Sequence, residues 1–196
     1  MNQSFKYPDH VRQFLDRLRT LCGSNPNRRP PNPGARANLR RGASAATRHL
    51  AWPVVRQCGG DLRHPAWTAI GAAFAFYPQP EREPRPEDNF GATCFSLASP
   101  TRRKDKGGRI ISSFDPRFRR LLAAESARDL CERVLPVVRL AKSSKPGPTP
   151  VHYEELLLAL LSWDNPDPSR RERIRIRWAT SYWQPGTAEA DEWTEL

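Results

Sequence analysis

Hydrophobic positions along the chain recur mostly every three or four residues, which is the period of an α-helix with one buried face. Residues 8–21 show this pattern, and Pro8 followed by Asp9 is typical of a helix start. Residues 64–77 are apolar on nearly every side and carry a proline in the first turn. That composition predicts a central helix that is buried all round.

Shorter helices are predicted on either side of this segment. Residues 35–41 predict one that ends at Gly42, and Ser44 is expected to cap another that ends before Pro53. Residues 89–98 predict a further short helix after an Asp or Asn cap.

Proline and charged residues mark the predicted loops. Residues 23–34 contain four prolines and two arginines, and residues 78–88 combine proline with charge. Residues 99–112 are basic and contain glycine, so we expect a disordered loop there.

The C-terminal half shows a clearer pattern. Ser113 or Asp115 is predicted to open a short helix that ends near Leu122. An apolar stripe then follows residues 127–141, with Pro136 as an expected kink.

Two Xaa-Pro pairs predict the starts of the last helices. Thr149-Pro150 predicts a cap followed by proline at the first helical position, before the apolar residues 153–161. Asp167-Pro168 repeats this signal.

The segment 170–183 is ambiguous because residues 173–178 alternate basic and apolar, which is the strand period. The cap signal and the length favour a helix, and a single strand without a partner is not stable. A helical face is also present, formed by Ile174, the stem of Arg177, Trp178, Ser181 and Tyr182. The fold class predicted from the whole pattern is all-α, with eight or nine helices.

The charge of the chain is strongly positive, with a formal net charge of +11 and a predicted pI of about 10.2. Residues 17–60 contain nine arginines and no acidic residue. A GC-rich genome explains arginine in place of lysine, but it does not explain missing acids. Because guanidinium groups bind phosphate through paired hydrogen bonds, we expect nucleic acid or another polyanion as partner.

No segment suggests a membrane span or a secretory leader, so we expect a cytoplasmic protein. The cysteines are far apart and form no CxxC pair, which predicts buried free thiols rather than a zinc or redox site. They are Cys22, Cys58, Cys94 and Cys131.

No catalytic motif is present in the sequence, and we expect no enzyme activity, no cofactor and no metal. His152 and Glu155 are one helical turn apart, but no second ligand follows at the spacing of a metal site, so a surface histidine at a helix start is expected. Four tryptophans within apolar patterns are expected in the core rather than stacked on bases. They are Trp52, Trp67, Trp163 and Trp178.

The cations form four clusters. Like charges at helical spacing repel each other, and a bound external anion would offset this repulsion, so the clusters favour an anionic partner. They are Arg36, Arg40, Arg41 and Arg48; Arg102, Arg103, Lys104, Lys106 and Arg109; Arg117, Arg119, Arg120, Arg139 and Lys142; and Arg170, Arg171, Arg173, Arg175 and Arg177.

Seven short motifs occur in an order that resembles the CasB family, the small subunit of the type I-E CRISPR surveillance complex Cascade. Together they span about residues 11–184. They are Phe14-Leu-x-x-Leu18, Ala37–Gly42 (ANLRRG), Trp67–Pro78, Asn89-Phe-Gly91 with Ser96-Leu-Ala98, Arg117–Leu122, Val151–Leu157 with Ser162-Trp-Asp164, and Arg175–Ala179 with Tyr182-Trp183.

The resemblance implies an elongated protein of two helical lobes, which we place at residues 5–99 and 113–184. A basic loop at 100–112 would join them, and an acidic tail would occupy 185–196. The departures from the family pattern are the proline loop 26–33, the loop 79–87 and this tail, which we expect to be insertions.

The resemblance further implies a non-catalytic subunit that steadies the displaced single-stranded DNA of the R-loop and contacts the large subunit, the backbone subunits and a second copy of itself. Guide RNA is a second candidate ligand. The residues carried over as nucleic-acid contacts are Arg40, Arg41, Arg117, Arg119, Arg120, Arg139, Lys142, Arg171, Arg173 and Arg175.

Two other functional classes compete with this interpretation. One is a free-standing, sequence-independent DNA- or RNA-binding regulator or RNA chaperone; a DNA-reading regulator would need a recognition helix, which the sequence does not suggest. The other is a nuclease or helicase accessory, disfavoured by the missing catalytic motifs.

Overall fold

The computed structural model describes residues 7–23, 31–82, 85 and 87–183. Nine α-helices lie within these residues, with 3₁₀ turns at Arg48–Ala51 and Ser99–Thr101. Two short strands, β1 (Arg103–Lys104) and β2 (Ile110–Ile111), form an antiparallel hairpin. The helices are α1 (Asp9–Cys22), α2 (Pro33–Arg41), α3 (Trp52–Gln57), α4 (Pro65–Phe76), α5 (Phe90–Ala98), α6 (Asp115–Leu122), α7 (Ala127–Ser143), α8 (Tyr153–Ser162) and α9 (Pro168–Trp183).

The predominantly helical prediction is confirmed, and α4 is the central helix as expected. It begins at Pro65, and the His64 side chain caps it by accepting a hydrogen bond from the Ala66 amide at 3.3 Å. Nine of its residues are buried. It packs against α1, α2, α3, α7 and α8 and so lies at the centre of the fold.

Close helix packing explains two of the glycines. A Cβ atom on Gly91 of α5 would lie 2.2 Å from the carbonyl oxygen of Trp178, so only glycine allows α5 to approach α9 this closely. A Cβ on Gly42 would lie 2.9 Å from the Leu39 carbonyl oxygen and 3.2 Å from Thr68 on α4. Gly42 ends α2, as predicted, and also keeps this end of the helix close to α4.

A buried carboxylate joins three helices in the C-terminal half. Glu155 of α8 is 3% exposed. It accepts hydrogen bonds from the Phe90 amide of α5 and from the Trp178 indole of α9, each at 2.9 Å, and it forms an ion pair with Arg177. The helical prediction for 170–183 is confirmed, and the Arg177 guanidinium as well as its stem is directed inward, to Glu155.

Two predicted helix starts are wrong. Residues 42–47 form turns instead of a helix capped by Ser44, and Pro53 lies in the first turn of α3, where a missing N–H has no cost. Helix α8 begins three residues after Pro150, because the Thr149 amide donates to the Ala141 carbonyl at the end of α7.

The segment 99–112, predicted as a disordered loop, contains the β1–β2 hairpin. The Asp105 amide donates to the Arg109 carbonyl at 2.8 Å, and Gly108 adopts a φ of 77° in the turn. At the base of the hairpin, the Arg102 guanidinium lies 4.3 Å from the centroid of the Phe95 ring and donates to the Tyr182 carbonyl.

Most of the predicted core is confirmed. Trp67, Trp163 and Trp178 are buried, and the four cysteines are buried free thiols. Trp52, predicted in the core, is 43% exposed, because it begins a helix of six residues whose buried face is formed by valines. Within the described residues no helix is long and apolar enough to cross a membrane.

The division of the chain at 100–112 remains a proposal. The buried apolar residues form one core cluster, and contacts cross the division, since α4 packs on α7 and α8 and α5 packs on α9. The predicted insertion 26–33 lies mostly outside the described residues, as does the acidic tail. The loop 79–87 is described only in part.

Candidate nucleic-acid interface

Two arginines of α2 are held at the end of α4. Arg36 and Arg40 are four residues apart and therefore share one helix face. The Nε atoms of both donate to the carbonyl oxygen of Ala75, at 3.0 and 3.1 Å. Ala75 lies in the last turn of α4, where carbonyl groups have no partner within the helix. The two arginines thus cap the central helix and are fixed by it.

A third arginine reaches the same place from α7. The Arg139 guanidinium carbon lies 4.1 Å from the centroid of the Phe76 ring, and that of Arg40 lies 5.7 Å from the same centroid. Both distances are within the range of a cation–π contact. The structure therefore brings together two predicted site residues that are far apart in sequence. We call Arg36, Arg40, Arg139 and the Phe76 ring the Phe76 arginine cluster.

The cluster is anchored on the inside and open on the outside. Within the described residues, the terminal nitrogens of Arg36 and Arg40 donate to no side chain or carbonyl, and the Arg139 side chain makes no hydrogen bond or ion pair. The positive field reaches the neighbouring Cys22 thiol. Burial raises the pKa of this thiol to about 11, and Arg36 and Arg40 act in the opposite direction.

Two further predicted residues flank the cluster in sequence. Arg41 is exposed at the end of α2, and its Nη1 donates to the Asn38 side chain at 3.2 Å. Lys142 is exposed on α7, three residues after Arg139 and hence on a neighbouring part of the same face.

The three arginines of α6 form a separate group. Arg117, Arg119 and Arg120 are exposed, and the Arg117 guanidinium lies 5.6 Å from the Phe114 ring centroid. The Arg120 carbonyl, rather than its side chain, accepts a hydrogen bond from Arg133 of α7. The described contacts join none of these three side chains to the Phe76 arginine cluster.

Two of the three predicted site residues of α9 donate to carbonyls of the protein. Arg171 donates to the Glu125 carbonyl at 2.8 Å, and Arg175 donates to the Ala124 carbonyl at 3.0 Å. Both carbonyls belong to the turn between α6 and α7, where they lack helical partners. Arg173 is exposed, and its only described partner is the Ser169 hydroxyl at 3.1 Å.

The remaining candidate chemistry is also structural. His152 lies at the start of α8 as predicted, but it is half-buried rather than at the surface, and its Nε2 is 3.3 Å from the Asp88 carboxylate. Burial lowers the pKa of this histidine. No group of three or more potential metal ligands occurs within the described residues.

Sequence reasoning missed two members of the cluster. Arg36 falls in the same cation cluster as Arg40 but is not among the predicted site residues, although the four-residue spacing is visible in the sequence. Phe76 belongs to a run of apolar residues, and the sequence contains no signal that its ring faces two cations.

The model of the family "CRISPR-associated protein Cse2" matches residues 35–183, which is more than half of the chain. The chain belongs to the Cse2 family. No curated protein matches it. Membership confirms the resemblance to CasB and makes the chain a CRISPR-associated structural subunit.

Two solved structures share the fold of this Cse2-family chain. CasB of M. ruber has a TM-score of 0.62 at 18% sequence identity, with 89% of this chain and 93% of that chain covered. A CRISPR-associated protein of the Cse2 family from Thermus thermophilus has a TM-score of 0.63 at 23% identity, with 91% of this chain and 99% of that chain covered.

Proposed function

We propose that this Cse2-family chain is a non-catalytic subunit of type I-E Cascade that holds nucleic-acid backbone and steadies the displaced DNA strand of the R-loop. It would act in antiviral defence in the cytoplasm. The observation that supports the proposal is the Phe76 arginine cluster, in which three guanidinium groups from α2 and α7 converge at the end of α4.

The geometry of the cluster suits phosphate binding. A free arginine loses side-chain entropy when it binds, at a cost of about 0.5–1.5 kcal/mol for each immobilised side chain. Arg36 and Arg40 are already held by the Ala75 carbonyl, and Arg139 by the Phe76 ring. Part of that cost is therefore met by folding, and the unpaired terminal nitrogens remain available for phosphate oxygens.

Phosphate binding without base recognition is what an R-loop requires of a protein subunit. Base pairing between guide RNA and target reads the sequence, so the protein needs only a cationic track for the displaced strand. The cluster contributes cations and one ring but no base-reading amide side chain. The proposal also requires the partners that the resemblance implies: the large subunit, the backbone subunits, a second copy of this chain and, as a further ligand, guide RNA.

The proposal is tested by replacing Arg40 and Arg139 together with alanine. The assembled complex should form normally but protect the displaced strand less in permanganate or nuclease footprinting, because strand invasion is a near-balanced exchange that protein contacts tip. The control is the double variant Arg12→Ala, Arg17→Ala, which removes the same charge from α1. It should footprint like the wild type.

The isolated protein offers a second measurement. For about five phosphate contacts to single-stranded DNA, the slope of log affinity against log salt concentration is roughly −3.5, and losing two contacts should reduce its magnitude by about 1.4. A flat salt response, or a footprint of the Arg40/Arg139 variant equal to that of the wild type, would overturn the proposed role. Failure of this variant to assemble, with folding intact, would instead assign the cluster to a neighbouring subunit.

A further inference from the structure

A pocket reaches one face of the central helix between α7 and the residues that follow α2; Pro65 and Ala69 are partly exposed there, and Ala72 is 1% exposed. Pro65, Ala69 and Ala72 of α4 line this pocket of about 110 Å³, and Phe76 continues the same row one turn later. These positions are spaced by four, three and four residues, so they follow one helix face. We call this row the α4 face.

The walls of this pocket come from two separate parts of the chain. On one side lie the residues that follow α2, and on the other side lies α7, which contributes Leu135 among others. Small side chains form the floor, since Ala69 and Ala72 extend only a methyl group from the helix. A guest can therefore lie close to the α4 backbone.

Each end of the α4 face carries a pair of arginines. At the Phe76 end they are Arg40 and Arg139. At the Pro65 end, Arg48 and Arg128 both line the pocket, and within the described part of the chain neither makes a hydrogen bond or ion pair through its side chain. Glu132 is the one acid among the pocket residues.

The second pair lies beside a buried thiol of the same pocket. Burial raises the pKa of the Cys131 thiol to about 12; Arg48 and Arg128 act in the opposite direction, while Asp164 and Glu132 add to the rise. An anion in the pocket would meet both guanidinium groups and, beside them, the Glu132 carboxylate.

The length of the α4 face fits a short stretch of one strand. Eleven residues separate Pro65 from Phe76, a helical rise of about 16 Å, which equals about five stacked nucleotides at 3.4 Å each. The pocket is smaller than the cavity of about 150 Å³ that admits benzene. It has no room for a duplex and can receive only a small part of one base, such as the C5-methyl group of thymine. A floor of methyl groups between two cationic ends suits a strand with such methyl groups and anionic phosphates.

We propose that the α4 face is the seat of a single nucleic-acid strand, with phosphates held by Arg40 and Arg139 at one end and by Arg48 and Arg128 at the other. This inference rests on the proposed function and adds to it a strand path and a second phosphate subsite.

The test is a length series of oligothymidylates, from three to ten nucleotides, titrated against the full chain by fluorescence anisotropy. In the wild type, affinity should rise steeply until an oligonucleotide spans both arginine pairs and should then level off. The double variant Arg48→Ala, Arg128→Ala should lower the affinity for the decamer at least tenfold and reduce its salt slope by about 1.4, the share of two phosphates. Its affinity for the trimer should change less than threefold.

A second variant leaves the charge unchanged. Ala69→Leu fills the pocket and should also lower decamer affinity at least threefold. The variant Arg12→Ala, Arg17→Ala removes the same charge as the Arg48/Arg128 variant and should change the affinity less than twofold at every length. Urea unfolding confirms that each variant is folded.

The outcomes separate this inference from the proposed function. If the Arg48/Arg128 and Ala69 variants bind every length like the α1 control while the Arg40/Arg139 variant is impaired, the strand path is overturned and the proposed function stands. If the Arg40/Arg139 variant also binds like the control, both are overturned. If a polyglutamate peptide displaces the decamer from the wild type at lower concentration than unlabelled decamer does, the α4 face is a protein-docking surface and the inference is wrong.

Discussion

The arginines of α9 and those of α2 and α7 differ in what their outer nitrogens face. On α9, one terminal nitrogen each of Arg171 and Arg175 donates to a turn carbonyl. The other terminal nitrogen of Arg175 lies 3.6 Å from the Glu172 carboxylate, and Arg177 is paired with buried Glu155. On α2, Arg40 bonds to a carbonyl only through the inner Nε, and the outer part of the guanidinium extends beyond it. Arg175 and Arg177 use terminal nitrogens for contacts within the protein, whereas Arg36 and Arg40, among the described residues, use only the inner Nε and keep their terminal nitrogens for an external anion.

The difference shows that a cluster of cations in a sequence has no fixed meaning. The α9 segment has the densest arginine pattern in the chain, yet the fold places two carbonyls of the α6–α7 turn beside it, one of which also accepts from the Trp163 indole. At the end of α4, one carbonyl accepts from the Nε atoms of both Arg36 and Arg40, and within the described residues no further acceptor lies at their terminal nitrogens. The number of acceptors within reach decides how many donors remain.

The largest expected effect comes from the innermost arginine of α9. Replacing Arg177 with methionine would leave Glu155 buried without its charge partner, and breaking a buried pair in this way costs about 3–5 kcal/mol. Urea unfolding should therefore show a strongly lowered midpoint, while the folded fraction should bind single-stranded DNA within twofold of the wild type.

Arg173→Met is the matched control on the same helix. Arg173 is exposed, so this change should alter the free energy of unfolding by no more than about 0.5 kcal/mol. Equal stability of the two variants would contradict the distinction between engaged and open arginines.

The next effect concerns the turn between α6 and α7. The double variant Arg171→Ala, Arg175→Ala removes the donors to the Glu125 and Ala124 carbonyls and the contact of Arg175 with Trp163, whose ring centroid is 5.4 Å away. The expected loss in the free energy of unfolding is about 1–3 kcal/mol. DNA affinity of the folded variant should change less than that of the Arg40/Arg139 variant. A large loss of affinity at unchanged stability would instead support the nucleic-acid role predicted for these residues from the sequence.

The helices were predictable because their signals are local. The apolar period of α1, the proline that opens α4 and the apolar stripe of α7 are each visible within one segment. The errors arose where a distant segment decides the outcome. The position of Thr149 depends on the Ala141 carbonyl, and the hairpin at 103–111 is held at its base by the contact of Arg102 with Tyr182.

The candidate site was predictable only in part. Arg40 and Arg139 are predicted site residues, carried over from the family resemblance as nucleic-acid contacts. The structure shows that both also touch Phe76, so their replacement affects packing as well as charge. Arg40 of α2 and Arg139 of α7 are far apart in sequence and meet only because both helices pack at the end of α4. No local sequence pattern indicates this contact.

A smaller effect is expected from a change in pH, which should alter the stability of the folded protein but not its affinity for DNA. Burial lowers the pKa of His152, which faces Asp88, Glu154, Glu155 and Arg82. It also lowers the pKa of His64, which faces Asp61 and Asp164. The unfolded chain, with a histidine pKa of about 6.5, then binds protons more readily than the folded chain.

The histidine contribution to stability is therefore fully present above about pH 6.5 and is lost as the pH falls below that value. Arginine does not titrate in this range. Urea midpoints should decrease between pH 7.5 and pH 5.5, whereas DNA affinity of the folded protein should stay nearly constant. In the variant His64→Asn, His152→Gln, which keeps a capping side chain at position 64, the decrease should be smaller. An unchanged decrease would assign it to other groups.

The smallest effect is expected on α6. Arg119 and Arg120 are exposed, and within the described residues no ring or carbonyl holds their guanidinium groups. Both side chains must therefore become ordered when DNA binds, at an entropic cost of about 0.5–1.5 kcal/mol for each side chain. This cost offsets much of the binding free energy that a solvent-exposed phosphate contact provides.

The double variant Arg119→Ala, Arg120→Ala should leave the free energy of unfolding within about 0.5 kcal/mol of the wild type. It should lower DNA affinity less than threefold at low salt, and the difference should vanish as added salt screens exposed charges. Arg40→Ala, Arg139→Ala removes the same charge from anchored side chains and should have the larger effect in the same titration. If the α6 variant loses more affinity than the Arg40/Arg139 variant, anchoring does not distinguish the two groups, and the strand binds along α6.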